Sequence, residues 1–196
     1  MSPRLRILVT LAAATLLSAC GTTQVGLSYA PPAAGARAAA AQPVALGSFT
    51  DQRGEPPTWL GAIRGGFGNP IKNLESSRPV AELVSAAFAD GLRARGASVA
   101  GASGRPRLSG VVRKLDCNQI ARREANVEIE LTVHDADGRA RLTKTYRATR
   151  LDGSLLTASA GVFGSVDDLR VTLELALREV VDQALDDAAL RAALQL

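Results

Sequence analysis

The stretch that decides the fold is residues 127–148, which read VEIELTVHDADGRARLTKTYRA. From Val127 to Val133 apolar and polar residues alternate strictly, which is the pattern of a β-strand with one buried face. Asp137-Gly138 then provides the dipeptide favoured by a two-residue type I′ turn, in which both central residues have positive φ. The stretch therefore predicts an antiparallel β-hairpin.

The length of this turn sets a register that can be checked against the chemistry of the opposing residues. A two-residue loop brings apolar residues together on one face and opposite charges together on the other, as stable cross-strand pairs require. The predicted pairs are Ile129 with Tyr146, Val133 with Leu142, and Glu128 with Arg147.

Two amphipathic helices are predicted, one before and one after the hairpin. In the first, apolar residues recur at helical spacing from Val80 to Leu92, and Gly96 is the stop signal. The second begins after Ser165, an N-cap residue followed by acids that the helix dipole favours, and its apolar stripe continues to Ala188.

Further strands are predicted at Val44 to Thr50 and at Arg107 to Cys117. The inward face of the second strand stays open, because its apolar residues fall into two opposite phases: Leu108 and Val112 against Val111 and Leu115. Between the first strand and the first helix, Gln52 to Ser77 contains three prolines and five glycines and is interpreted as a long loop.

This order of elements predicts an α+β domain over residues 44–196. We expect a two-layer sandwich, in which two amphipathic helices cover one face of a mostly antiparallel sheet of four to five strands.

Composition excludes several classes of protein. The chain has 196 residues, 46% apolar and 4% aromatic, with a net charge of +4, which suits one globular domain with some non-globular sequence. No apolar run reaches the roughly 20 residues of a membrane-spanning helix. The basic residues alternate with acids and form no stripe, so no nucleic-acid partner is expected.

The first nineteen residues have the form of an export signal peptide. Arg4 and Arg6 precede an apolar run of thirteen residues, Ile7 to Ala19, which is too short to span a bilayer. Leu17-Ser18-Ala19-Cys20 resembles the lipobox of bacterial lipoproteins. That resemblance implies that the Cys20 thiol carries a diacylglyceryl group, that the chain is cleaved before it, and that the new amino group is acylated, as by palmitate.

The resemblance also implies a location. Gly21 follows the cysteine where Gram-negative lipoproteins retained at the inner membrane carry aspartate, so an outer-membrane anchor with the domain in the periplasm is expected. Two acyl signals hold a protein stably at a bilayer. Residues 20–43, rich in Ala, Pro and Gly, are interpreted as a flexible tether with a span of roughly 25–30 Å.

Cleavage would leave a nearly neutral mature chain with one remaining thiol. Of 23 Lys and Arg side chains two lie in the signal, which leaves 21 against 19 acids. With Cys20 acylated, Cys117 has no disulfide partner, and we expect it to be an inert buried residue.

The order and spacing of short motifs along the whole chain resemble the YajG-type bacterial lipoproteins. The matching pieces are the lipobox through Cys20, Asp51-Gln52-Arg53, Arg93-Ala94-Arg95-Gly96, Leu142 to Ala148, and the final helix after Ser165. The resemblance implies a small lipoprotein directed to the outer membrane. That family brings no established activity, so no catalytic residue is carried over.

The segment Gln52 to Ser77 is the candidate binding site for an envelope protein or another envelope component. It carries the only tryptophan of the chain within an apolar group: Trp59, Leu60, Ile63 and Phe67. Exposed aromatics on a tethered domain suit a contact site. The alternative is that Trp59 and Phe67 fold back onto the core.

The sequence leaves two alternative binding functions open and gives little support for an enzyme. Asp51 and Arg78 loosely resemble the aspartate and arginine with which OmpA-like domains bind peptidoglycan, and a groove between helices and sheet would suit a lipid or glycan carrier. His134, the only histidine, lies on the polar face of its strand, and no metal-ligand cluster is visible. We therefore expect no enzyme, no metal and no cofactor beyond the covalent lipid on Cys20.

Overall fold

Strands dominate the computed structural model, which describes residues 21–31, 43–100, 105–153 and 165–196. Within these ranges eight strands form one sheet. The strands are β1 (Gly21–Val25), β2 (Val44–Asp51), β3 (Trp59–Arg64), β4 (Pro70–Ser76), β5 (Val99–Ala100), β6 (Arg107–Gln119), β7 (Arg123–His134) and β8 (Ala140–Asp152). The helices are α1 (Val80–Ala94), α2 (Val166–Asp186) and α3 (Ala188–Leu194).

The sheet is mixed and is organised around β6. One side of β6 pairs along its whole length with β7, which continues to β8, both antiparallel. The other side is shared, because β2 runs parallel to the first half of β6 and β3 runs parallel to its end. β4 pairs antiparallel with β3, while β1 and β5 add in parallel to β4 and β2.

The α+β class is confirmed, but the predicted sheet is wrong in size and in strand direction. Eight strands replace four to five, and four of the seven strand pairings are parallel. Parallel partners must be joined by long crossovers. No local pattern in the sequence reports such a pairing.

The register of the β7–β8 hairpin is confirmed, although its turn differs from the predicted one. The pairs Glu128 with Arg147, Ile129 with Tyr146 and Val133 with Leu142 are all present. Asp135 and Arg139 close a three-residue loop, and Gly138 alone has positive φ, which excludes type I′. A register shift after Val133 absorbs the extra residue, as in hairpins with a G1 bulge.

A β-bulge explains the two apolar phases of β6. Leu108 and Val112 face the core before the bulge, and Leu115 and Cys117 face it afterwards. The register shifts between Val112 and Lys114, so one extra residue reverses the alternation.

Both predicted helices are confirmed and lie on the sheet. α1 packs against β2 and β6, and α2 against β6, β7 and β8. The Ser165 hydroxyl accepts from the backbone N–H of Asp168, as an N-cap does. The second apolar stripe is interrupted at Asp187, which is extended and starts α3 as its N-cap.

Asp187 is held in place from both sides. Its carboxylate accepts from the N–H groups of Ala189 and Leu190, the Lys144 ammonium and the Tyr146 hydroxyl. The bond from Lys144, with the others adding to it, lowers the pKa of Asp187 to about 2. The residue therefore ties the junction of α2 and α3 to β8.

The interpretation of residues 20–43 as a flexible tether is wrong for residues 21–31, which belong to the folded domain. β1 pairs with β4 from Gly21 onward, and Val25, Leu27 and Tyr29 are buried. These alternate apolar side chains cover the edge of the core. The alternation is short and lies in a segment whose composition is typical of linkers, so no strand is predicted there from the sequence. The folded domain therefore includes residues 21–31 in addition to the residues from 44 onward. The predicted signal peptide, Cys20 and residues 32–42 lie outside the described residues.

The Tyr29 hydroxyl fixes this N-terminal segment to both long helices. It donates to Asp182 Oδ1 of α2 at 2.6 Å. Arg95, directly after α1, reaches the same Asp182 at 3.0 Å and Asp186 at 2.8 Å. Gly91 of α1 allows α2 to pack closely against α1, since a Cβ at this position would lie 2.6 Å from Leu185 Cδ1.

Candidate contact site at the β3–β4 hairpin

Within the predicted loop from Gln52 to Ser77, the part from Trp59 to Ser76 is instead a hairpin of β3 and β4, while residues 52–58 contain no strand. The tip of the hairpin is a tight turn, in which the Gly65 N–H donates to the Asn69 carbonyl and the Gly68 N–H donates to the Gly65 carbonyl, both at 2.8 Å. Gly68 has φ +82°, which suits glycine. The prediction of a loop is wrong because glycine and proline here serve turns and close contacts between strands.

Phe67 projects from this tip with its side chain fully exposed. The tip is braced from below by Arg64, which donates to Asn118 Oδ1 at 3.1 Å and to the Gly68 carbonyl at 3.2 Å. Large aromatic side chains are rarely left wholly in water. A fully exposed phenylalanine on a braced turn is therefore a feature that calls for a contact partner.

The other apolar residues of the predicted site lie elsewhere. Leu60 and Ile63 are buried core residues and present no surface to a partner. Trp59 is half-buried at the opposite end of β3 from the tip, where its backbone N–H donates to the Pro56 carbonyl. The structure thus does not bring Trp59 and Phe67 together.

Gly61 allows the hairpin to dock on β6. It lies opposite Cys117, and a Cβ at this position would be 1.8 Å from the Cys117 carbonyl oxygen. No residue with a side chain fits so close to a neighbouring backbone. In the sequence this glycine was indistinguishable from the turn glycines around it.

Arg53 holds the segment between β2 and β3 and was missed as a site by the sequence analysis. Its side chain is only 3% exposed, although arginine is almost never buried without partners. The guanidinium donates to both carboxylate oxygens of Asp51 at 2.9 and 2.8 Å and to the carbonyls of Trp59, Leu115 and Pro56. Burial raises the pKa of Asp51, but the hydrogen bonds from Arg53 outweigh it and hold that pKa below its ordinary value.

Asp51 and Arg78, the two residues of the peptidoglycan alternative, share no hydrogen bond or ion pair in the described part of the chain. Both Asp51 oxygens are already bonded to Arg53. Arg78 is exposed just before α1, and its described bond is through its carbonyl, which accepts from the Ser76 hydroxyl. Asp51 therefore has a structural task that is independent of any ligand.

Cys117 and His134, the remaining reactive side chains of the sequence analysis, lie apart from each other in the described structure. Cys117 is fully buried, and burial raises the pKa of its thiol to about 12. His134 is half-buried on the polar face, with Nδ1 3.3 Å from the Gly138 carbonyl. Within the described ranges no group of His, Cys, Asp and Glu is arranged to hold a metal ion.

Three surface depressions of the described residues bear on the alternative of a lipid or glycan carrier. They have volumes of about 460, 340 and 510 Å³. The residues around the first and third include charged side chains, among them Asp116, Arg122 and Arg178. The second lies between β2 and α1, and Phe49 and Ala86 contribute to its walls. The space between helices and sheet is occupied by core side chains, as at Phe88 and Leu173.

Comparison with known proteins identifies the family. The family model Lipoprotein_16, described as "Uncharacterized lipoprotein", matches residues 34–195. The chain belongs to this family. The resemblance to YajG-type lipoproteins is thereby confirmed, and the protein is a lipoprotein. No protein with a curated description matches the sequence.

Solved structures extend the comparison to the fold of this Lipoprotein_16 member. Protein XCC0632 of Xanthomonas campestris, from the DUF330 family, is 12% identical over 87% of this chain and 96% of that chain, with a TM-score of 0.60. A putative lipoprotein of Caulobacter crescentus is 18% identical over 56% and 80%, with a TM-score of 0.40. A PelC dodecamer of Paraburkholderia phytofirmans is 15% identical over 84% and 96%, with a TM-score of 0.42. The first of these shows a shared fold.

None of the described helices is both long and apolar enough to span a membrane.

Proposed function

We propose that the protein is a non-enzymatic lipoprotein held at the periplasmic face of the outer membrane by lipid on Cys20. Its domain binds a component of the cell envelope through the tip of the β3–β4 hairpin. The export signal and lipobox, the glycine after Cys20 and the lipoprotein family support the anchor.

The observation that carries the contact role is the exposure of Phe67. Its apolar neighbours in the hairpin, Leu60 and Ile63, are fully used by the core, while Phe67 contributes nothing to it. Burying a phenylalanine on a partner contributes about 1.5–3 kcal/mol. The tip therefore supplies binding energy that the fold itself does not use.

Photo-crosslinking from the tip tests both parts of this proposal. Benzoylphenylalanine at position 67 should form adducts in cells that express the acylated protein. A Cys20→Ala variant with the same probe should leave the membrane fraction and lose the adducts, because the anchor no longer holds the tip near its target. Fractionation and mass spectrometry of the adducts are the measurements.

The control carries the same probe at Asp137, which is exposed in the β7–β8 turn. Unchanged sedimentation of the Cys20→Ala variant with membranes would contradict the lipid anchor. Equal adduct yields from positions 67 and 137 would remove the hairpin tip from the proposal.

A further inference from the structure

The start of β1 and the tip of the β3–β4 hairpin lie at the same end of the sheet. Cross-strand partners form a continuous row over six strands there: Gly21, Lys72, Ile63, Gln119, Arg123 and Asp152. Neighbouring strands lie about 4.8 Å apart, so the row is roughly 24 Å long. We call this row and the turns beyond it the Gly21 end of the sheet.

Exposed apolar side chains collect at this end. The described residues include six large apolar side chains that are exposed, and four of them lie within one residue of the row or beyond it. They are Phe67, Ile71, Ile120 and Leu151. Ile120 belongs to the β6–β7 turn, so these residues come from three separate parts of the chain and are spread along the row. Exposed apolar side chains that share one end of a domain give that end a surface suited to an apolar partner.

The charges at this end favour an anionic partner. Lys72 and Arg122 are exposed and belong to none of the described ion pairs, while Arg64 bonds only to neutral oxygens. Of the acids at this end, Asp152 and Asp168 pair with Arg123, each at 2.8 Å. The exposed Glu124 accepts from the Asn126 amide and belongs to no described ion pair, so the three bases outnumber it. Basic side chains around apolar ones match the headgroup region of a bilayer with anionic lipids.

The point at which the chain enters this end identifies the partner. Cys20 is bonded directly to Gly21, the first residue of β1, so the two Cα atoms are about 3.8 Å apart. There is no flexible spacer between the proposed acylation site and the sheet. A lipid on Cys20 therefore brings the Gly21 end to the membrane surface whatever the rest of the domain does.

We propose that the Gly21 end of the sheet lies directly on the bilayer that holds the Cys20 lipid, with Phe67 inserted among the headgroups. This inference rests on the proposed acylation and names lipid as the component that the hairpin tip contacts. Phe67 is three residues beyond Arg64, which allows a reach of up to about 10 Å past the row. Interfacial apolar side chains enter bilayers to about 5–10 Å.

Tryptophan fluorescence in pure lipid vesicles tests the orientation. The acylated variants W59F/F67W and W59F/D137W each carry one tryptophan, at the tip or in the β7–β8 turn at the opposite end of the sheet. β7 is 12 residues long, so the two ends are roughly 35–40 Å apart. Both variants are reconstituted in vesicles of phosphatidylethanolamine and phosphatidylglycerol, with and without bromine near the top of the acyl chains.

Bromine should quench the emission from position 67 by about twofold or more and leave position 137 unchanged, because only the tip lies at headgroup depth. Equal emission from position 67 with and without bromine, together with acrylamide access equal to that of position 137, would overturn the proposal. Protection of position 67 in native membranes but not in pure vesicles would also overturn it, and would assign the tip to a protein partner.

Wild-type protein provides a second measurement that does not depend on the W59F replacement. Amide hydrogen exchange of residues 65–71 should be slower for the acylated protein on vesicles than for Cys20→Ala in solution, while residues 136–139 should exchange alike in both. Equal exchange at 65–71 in the two forms would contradict the inference. A Cys20→Ala protein that stays on membranes would instead contradict the anchor, so the two failures are distinguishable.

Discussion

Gly61 is the position where a single hydrogen in place of a side chain decides whether two strands can meet. We expect Gly61→Ala to lower the free energy of unfolding by more than about 3 kcal/mol, since its methyl group would overlap the Cys117 carbonyl and the β6 backbone cannot yield cheaply. Urea denaturation measures this change. Gly66→Ala, in open space at the tip, should stay within about 0.5 kcal/mol of wild type. Equal stability of the two variants would contradict the close contact.

Asp51 links stability to pH through its bonds with Arg53. Its pKa in the folded protein is below the ordinary value of 3.8, so its contribution is present above about pH 4 and is lost as the pH falls further. Asp51→Asn should therefore cost about 1–3 kcal/mol at pH 7 and flatten the loss of stability below pH 4. Urea denaturation at several pH values between 7 and 2.5 is the measurement. A profile parallel to that of wild type would show that the pair does not contribute.

The segment of residues 21–31 acts at the scale of an element, because it joins a strand at one sheet edge to the two long helices. Tyr29→Phe removes the hydroxyl bond to Asp182 and should lower stability by about 1 kcal/mol, with Arg95 and Arg178 left as partners of Asp182. Thermal and urea denaturation measure the change. Ser28→Ala, which loses only an exposed bond to Glu174, is the matched control. A Tyr29→Phe variant no less stable than Ser28→Ala would show that the segment is only loosely attached.

At the scale of the whole molecule, the parallel pairing of β1 with β4 and of β3 with β6 decides which features share one end of the sheet. These pairings place the N-terminal strand, the hairpin tip and the β6–β7 turn at one end of the sheet. The β7–β8 turn lies at the other end. If the first end is on the bilayer, the other is held away from it and is free to meet periplasmic partners.

The sequence alone determined the features that depend on neighbours along the chain. Alternation and opposite charges set the β7–β8 register, and helical spacing with Ser165 as the cap set both long helices. Even there the turn differed, because a bulge changes the loop without changing the pairing that the side chains favour. The lipobox is likewise a local pattern.

Only the tertiary structure decided the features that depend on residues distant in sequence. Residues 21–31 have the composition of a linker, yet β4 supplies partners for their backbone and the helices cover Leu27 and Tyr29. Glycine at position 61 serves a contact with Cys117, while the glycines near Phe67 serve a turn, and composition cannot separate the two uses. Phe67 is exposed because long-range pairing buries its neighbours in the hairpin and leaves the tip beyond the sheet, at the same end as Gly21.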